Sequence, residues 1–157
     1  MRRRFVLLAA LLMLGAGPAA ATQNSGTVVK AAVNKTLKKT ILVNAKGLTL
    51  YFWTEDTPTH SACINDPTYH CSKAWPPLLT TGDPQAGHGV KASLLGSFTR
   101  DDGGTQVTYA GHPLYTFHGY SGIPPDRKPG QLHGQGYIGL WWVLTPAGKK
   151  ITKVPHT

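Results

Sequence analysis

The sequence predicts an all-β fold of antiparallel hairpins in two pseudo-repeats, arranged as a compact sandwich or barrel-like domain with long loops. Three observations lead to this prediction. Short runs of β-branched and aromatic residues alternate with turn residues, which is typical of strands joined by tight turns. No stretch after residue 21 shows the 3.6-residue periodicity of an amphipathic helix. The chain also contains 18 glycines and 12 prolines, which disfavour helices and favour turns.

An internal duplication organises the chain. Residues 50–56 read Leu-Tyr-Phe-Trp-Thr-Glu-Asp, and residues 114–120 read Leu-Tyr-Thr-Phe-His-Gly-Tyr. Each copy follows a turn that contains glycine and precedes a long loop and then a tryptophan, Trp75 in the first copy and Trp141 with Trp142 in the second. We therefore place the pseudo-repeats near residues 40–78 and 105–145.

The elements follow from the same patterns. A first strand is predicted at residues 27–33, followed by three hairpins at 40–44 with 48–54, 105–109 with 113–117, and 139–145 with 149–154. Residues 91–98 fit either a short helical turn or a strand. Two long loops, 55–90 and 119–137, each follow an aromatic strand. Loops of that length in a compact domain are usually functional or held in place by another feature, so these loops are where any site would lie.

The N-terminus has the pattern of an export signal. Three arginines precede an apolar run at residues 5–14 and small residues at 19–21, which predicts a cleaved signal peptide at 1–21 and a mobile leader at 22–26. The remaining residues, 27–157, are predicted to form a single domain. They contain no apolar stretch long enough to span a membrane. Because no cysteine lies near the cleavage point, we expect a soluble periplasmic or extracellular protein.

The charge balance limits the classes of partner. Without the three signal arginines, 13 basic and 7 acidic residues remain, and the basic residues cluster near both ends of the chain. Such an excess favours weak association with anionic surfaces such as lipid headgroups or wall polymers. A solvated, solubilising surface is the simpler interpretation. The chain shows no nucleic-acid-binding motif, so nucleic acid is not expected as a partner.

Several motifs resemble those of a known bacterial family. Tyr51, Trp53 and Asp56 match the pattern Tyr-x-[Phe/Trp/Tyr]-x-x-Asp, whereas the second copy has Tyr120 in place of the aspartate. The stretches at residues 71–78, 100–103, 106–115, 134–136 and 141–143 are similar as well. This ordered set resembles the secreted repeat of unknown function family, whose members are often predicted lipoproteins. The resemblance implies an exported repeat protein and assigns no activity, substrate or catalytic residue.

The aromatic strands supply the candidate binding region. Alternation along a strand puts Tyr51 and Trp53 on one face, with Leu50 and Phe52 on the other. Packing in the core, with each tyrosine hydroxyl bonded to a backbone group, is the simpler interpretation, and Asp56 is expected to organise its loop. Consecutive tryptophans face opposite sides, so one of Trp141 and Trp142 should be more exposed. The candidate binding residues are Tyr51, Trp53, Asp56, Tyr115, Phe117 and His118.

The two cysteines, Cys63 and Cys71, are predicted to form a disulfide, because an even pair in an exported protein usually does. The alternative is a metal site. His60, Cys63, His70 and Cys71 lie within twelve residues and would be a suitable ligand set for copper or zinc. No cofactor is otherwise predicted.

Three functional hypotheses remain open. The favoured one is a non-catalytic binding or structural module of the cell envelope or extracellular space. The second is a periplasmic metal-binding or redox protein that uses the histidine and cysteine ligands. The third is a small hydrolase, which requires a pocket with a histidine beside Asp56, Asp126 or a serine such as Ser121. The absence of any nucleotide, hydrolase or metalloprotease motif lowers the odds of an enzyme.

Overall fold

The chain folds into short strands linked by long irregular segments, with almost no helix. The computed structural model describes residues 26–64, 68 and 70–155. The predicted signal peptide lies outside the described residues. The strands are β1 (Val28–Asn34), β2 (Lys39–Asn44), β3 (Tyr51–Trp53), β4 (Leu79–Thr80), β5 (Gln85–Ala86), β6 (Leu95–Thr99), β7 (Thr105–Tyr109), β8 (His112–Pro113), β9 (Trp141–Leu144) and β10 (Lys150–Ile151). One helical turn, α1 (Cys71–Ala74), follows the first aromatic strand.

The strands form three small sheets. Their orders are β2-β1-β5, β10-β9-β3 and β4-β7-β6, with β8 paired to β7. The pairings are antiparallel except for β1 with β5. Within the described part of the chain none of the sheets closes on itself, so the barrel-like alternative does not hold. The all-β prediction is confirmed.

Two of the three predicted hairpins are confirmed, and the first forms in a shortened version. Strands β7 and β8 pair across the Ala110–Gly111 turn, and β9 pairs with β10. In the first hairpin, residues 42–44 bond to residues 48–50 across the predicted turn, whereas β2 pairs along its whole length with β1. Strand β3 then leaves this arm to pair with β9. Residues 91–98, left open by the sequence, form a 3-10 turn followed by β6.

Two buried clusters lie on either side of the aromatic strands. Tyr51 belongs to one cluster, and its strand neighbours Leu50 and Phe52 belong to the other. In the second repeat, Tyr115 and Leu114 divide in the same way. The predicted alternation of faces is therefore correct, and both faces are buried. The aromatic strands are the central layer of the molecule.

The two repeats exchange their C-terminal segments across this layer. Tyr51 pairs with Val143 of the second repeat, and Tyr115 pairs with Pro77 of the first. Two further bonds repeat the relationship: the Thr54 N–H donates to the Leu140 carbonyl, at 3.1 Å, and the His118 N–H donates to the Ala74 carbonyl, at 2.8 Å. The fold thus has a pseudo-twofold axis, and each repeat completes the other.

No helix in the described part of the chain is long and apolar enough to cross a membrane.

Candidate functional site: an aromatic cleft beside the pseudo-twofold axis

Three tryptophans lie with their indole rings parallel beside the pseudo-twofold axis. The rings of Trp75 and Trp141 have centroids 3.8 Å apart and planes 4° apart. The Trp53 ring lies 5.3 Å from that of Trp141, with planes 5° apart. Trp75 and Trp141 are buried, whereas Trp53 is partly exposed. The stack therefore runs from the core to the surface.

The ring contacts repeat between the two halves. Tyr51 meets the edge of Trp75 at 5.5 Å and 79°, and Tyr115 meets the edge of Trp141 at 5.1 Å and 83°. Edge-to-face contacts of this kind add stability beyond the area that they bury. Phe117 contacts Trp75 across the axis, as Trp53 contacts Trp141.

Each tyrosine hydroxyl is bonded to a carboxylate that the other repeat supplies. The Tyr115 hydroxyl donates to Oδ2 of Asp56, at 2.5 Å, and the Tyr51 hydroxyl donates to Oδ2 of Asp126, also at 2.5 Å. The prediction that these hydroxyls bond to the backbone holds only in part. Tyr51 also bonds to the backbone of Gly134, but a loop from the opposite repeat brings a carboxylate to each hydroxyl. Burial and the neighbouring carboxylate raise the pKa of both tyrosines.

Both carboxylates also organise the loops that carry them. Oδ1 of Asp56 accepts the Ala62 N–H at 2.9 Å, and Oδ1 of Asp126 accepts the His133 N–H at 3.0 Å. Burial raises the pKa of Asp56, and the hydrogen bond from Tyr115 opposes that shift. The expected loop-organising role of Asp56 is confirmed. Asp126 takes the equivalent position, which the sequence motif does not show because Tyr120 occupies the motif spacing.

Arg100 anchors the first loop to the β6–β7 turn. The residue is 4% exposed, and its guanidinium donates to the Cys63 carbonyl at 2.7 Å, to the Ser61 hydroxyl at 3.0 Å and to the Gln106 side chain at 2.6 Å. Its other edge pairs with both carboxylate oxygens of Asp102. This satisfies the buried charge and fixes the loop beside the cleft.

Cys63 and Cys71 form a disulfide within that loop. The predicted pairing is confirmed, and the thiolate–metal alternative fails because both sulfur atoms are bonded to each other. Among the described residues, no group of three or more histidine, cysteine, aspartate or glutamate side chains is placed to hold a metal ion.

The stack opens into a cleft of about 410 Å³. Trp53 forms part of its wall, and its indole Nε1 is buried without a hydrogen-bond partner. The rings of Tyr120 and Tyr137 meet edge to face at its rim, with centroids 6.1 Å apart, beside Ile138, which is 66% exposed. The cleft is lined by Trp53, Ala62, Cys71, Ala74, Trp75, Tyr120, Tyr137, Ile138 and Trp141.

The structure places the six candidate binding residues in different environments, and not all of them line the cleft. Tyr51, Tyr115 and Phe117 are fully buried in the core, and Asp56 is bonded within its loop. His118 is exposed and does not line the cleft, which leaves Trp53 as the candidate that does. Tyr120, Tyr137 and Ile138 were not predicted as site residues, although Tyr120 and Tyr137 lie in the loop at residues 119–137 where a site was sought.

A histidine does lie beside Asp126, as the hydrolase hypothesis requires. His133 Nδ1 is 2.9 Å from Oδ1 of Asp126, without the geometry of a hydrogen bond. His133 lines a separate cavity of about 550 Å³. Ser121 is not part of that lining.

The fold and the cleft define a class: a β protein of two interlocked repeats. The family model described as a secreted repeat of unknown function matches residues 31–79 and 96–145, more than half of the chain. The protein therefore belongs to this secreted repeat family. A search of curated proteins and a search of solved structures each gave no significant match.

Proposed function

We propose that the protein is an exported, non-catalytic binding module that holds a small, planar, uncharged ligand in the aromatic cleft. The observation that carries this proposal is the Trp53 indole, which lines the cleft and whose Nε1 is buried without a hydrogen-bond acceptor. A buried donor that lacks a partner costs about 1–3 kcal/mol. A ligand that brings an acceptor would remove that cost if the Trp53 ring turns to present its N–H to the cleft.

The lining sets the chemistry of the ligand. The volume of about 410 Å³ suits a small molecule, since ligand pockets are typically of roughly 300–1,000 Å³. Parallel indoles and two phenol rings favour a flat ring system. The lining residues include no carboxylate, imidazole or amine, which favours an uncharged ligand and supports binding rather than catalysis. A carbonyl oxygen on the ring would accept the Trp53 N–H.

The proposal can be tested with two bicyclic probes that differ in the acceptor, coumarin and naphthalene. Each is titrated into ¹⁵N-labelled protein while the four tryptophan indole N–H signals are followed by NMR. We expect coumarin to shift the Trp53 N–H signal downfield and to bind about three- to tenfold more tightly than naphthalene, the value of one hydrogen bond.

Trp53→Phe keeps a ring in the wall and removes the donor. It should abolish the preference for coumarin and leave naphthalene binding nearly unchanged. Trp142→Phe is the matched control, because the Trp142 N–H already donates to the Gly139 carbonyl, at 3.1 Å, and Trp142 does not line the cleft. The proposal is wrong if neither probe moves the Trp53 signal. It is also wrong if Trp53→Phe and Trp142→Phe change the preference for coumarin equally.

A further inference from the structure

A second concave surface lies between the β1–β2 turn and the loop at residues 122–133. Two cavities of about 550 and 580 Å³ share Thr36, Gly130 and Gln131, so they form one continuous groove. His133 lies towards one end of it, and Lys35 and Lys128 towards the other. We refer to it as the basic groove.

The charged side chains that line or adjoin the groove are cationic. Lys35 and Lys128 line it, and Lys46, Arg127 and Lys153 each adjoin a lining residue in the chain; all five are exposed. No aspartate or glutamate is among the lining residues. Over the ranges that the structure covers, none of the five forms an ion pair. Their charge is available to a partner.

The equivalent turns of the two repeats differ in charge. The β6–β7 turn, which is the counterpart of the β1–β2 turn, carries Asp101 and Asp102 beside Arg100, whereas the β1–β2 turn carries Lys35 and Lys38 and no acidic residue. Arg100 pairs with Asp102, and His60 contacts Asp101. The β1–β2 end is therefore basic, and its counterpart has no such excess of positive charge. Packing of a common core does not require such a difference, and selective binding at the basic end accounts for it.

The walls of the groove are fixed before anything binds. The Asn34 side chain donates to the Gly130 carbonyl at 3.0 Å, and the Thr49 hydroxyl donates to the Gln131 carbonyl at 2.6 Å. The Gln131 side chain accepts the backbone N–H groups of Arg127 and Lys128, at 2.6 and 2.7 Å. A preorganised surface loses less conformational entropy on binding.

We propose that the basic groove binds an extended polymer of phosphodiesters joined by short carbon segments. A groove suits a chain better than it suits a flat membrane. Four of the five cations are lysines, which bind phosphate as point charges and do not need the planar bidentate geometry of the arginine fork. Apolar groups between them, including Val33 at 73% exposure, would contact the carbon segments.

The test uses the secreted chain and a poly(glycerol phosphate) free of lipid, with binding measured by calorimetry. Lys35→Gln with Lys128→Gln should weaken binding about tenfold or more, since two charges that face the polymer are lost. Lys91→Gln with Lys149→Gln is the matched control, because it removes the same charge from exposed sites outside the groove. We expect the control to change the Kd less than about twofold.

Three outcomes would overturn the proposal. Equal losses in the two double variants would show a general charge effect rather than a groove. Equal affinity for poly-L-glutamate of the same charge would remove the preference for phosphodiesters. Binding to anionic vesicles but not to the free polymer would assign the surface to a membrane. The aromatic-cleft variants leave the groove intact, so the two proposals fail or succeed separately.

Discussion

Tyr51 and Tyr115 bond to each other through both of their peptide groups. The Tyr51 N–H donates to the Tyr115 carbonyl and the Tyr115 N–H donates to the Tyr51 carbonyl, each at 2.9 Å. The two residues occupy the same position in the duplicated motif, so the pseudo-twofold axis passes between them. Their side chains then reach carboxylates on opposite loops. Backbone and side chains at this one point join the two repeats.

We predict energetic coupling between Tyr51 and Asp126. The Asp126 side chain is 1% exposed, so Tyr51→Phe leaves a buried carboxylate short of one donor and should lower the free energy of unfolding by about 1–3 kcal/mol. Asp126→Asn should be destabilising as well. In a double-mutant cycle measured by urea denaturation, the two changes should show a coupling energy of about 0.5–3 kcal/mol.

The matched comparison pairs Tyr51→Phe with Asp56→Asn, the carboxylate of its own motif. Because Asp56 bonds to Tyr115 and not to Tyr51, these two changes should add to within roughly 0.5 kcal/mol. Strong coupling in this cycle, with none to Asp126, would contradict the crossed arrangement.

Loss of the disulfide should weaken the fold without changing its architecture. The bond between Cys63 and Cys71 closes a short loop, with a sequence separation of 8, and the chain-entropy model assigns such a loop about 2–3 kcal/mol. Cys63→Ala with Cys71→Ala should lower the free energy of unfolding by that amount. Reductant should destabilise the parent protein similarly and leave the variant unaffected; a response of the variant to reductant would count against this account.

Gly134 should not tolerate a side chain. A Cβ at this position would lie 2.5 Å from the ring of Trp75, which is 3% exposed and packed on Trp141. Gly134→Ala should therefore displace the indole stack and lower the melting temperature by several degrees, since overpacking costs about 1–3 kcal/mol.

Gly103→Ala is a suitable comparison for that change. Its Cβ would meet open space, and its φ of +89° imposes backbone strain alone. The near-ultraviolet circular dichroism of the tryptophans should change in Gly134→Ala and not in Gly103→Ala. Unchanged aromatic signals in both would show that Trp75 moves aside without cost.

His112 should make the protein less stable in weak acid. Its ring packs on Phe52 at 4.4 Å, and burial lowers the pKa of His112 below its usual value. The unfolded chain therefore takes up a proton before the folded protein does. The free energy of unfolding should fall as the pH drops below about 6.5. His112→Gln should flatten this part of the pH profile, and an equally steep profile in the variant would assign the effect to another group.

The fold class and the disulfide were predictable from the sequence because their signals are local. Strand periodicity predicted that Leu50 and Tyr51 lie on opposite faces. It also predicted that the two adjacent tryptophans differ in exposure, and Trp141 is 2% exposed whereas Trp142 is more exposed. The strand pairings across the axis were not predictable. They join residues far apart in the chain, and short strands buried on both faces carry little information about which neighbour they take.

Asp126 shows why the site was only partly predictable. The motif places its aspartate five residues after the tyrosine, whereas Asp126 follows Tyr115 by eleven, because the second loop carries an insertion. Asp126 is the one carboxylate between residues 119 and 137. A buried tyrosine hydroxyl needs a hydrogen-bond partner. The sequence could have pointed to Asp126 for that reason alone. Arg100 gave no comparable signal, since its partners come from three separate segments.

The exchanged strands have a consequence for how such a protein arose. A chain with one repeat would lack the neighbours of its tyrosine strand and would find both in a second identical copy, as in a symmetric homodimer. Tandem fusion turns that association into an intramolecular one, set by the linker rather than by protein concentration. The fused chain keeps its fold at any dilution, and it allows the two ends of the old symmetric pair to diverge in charge.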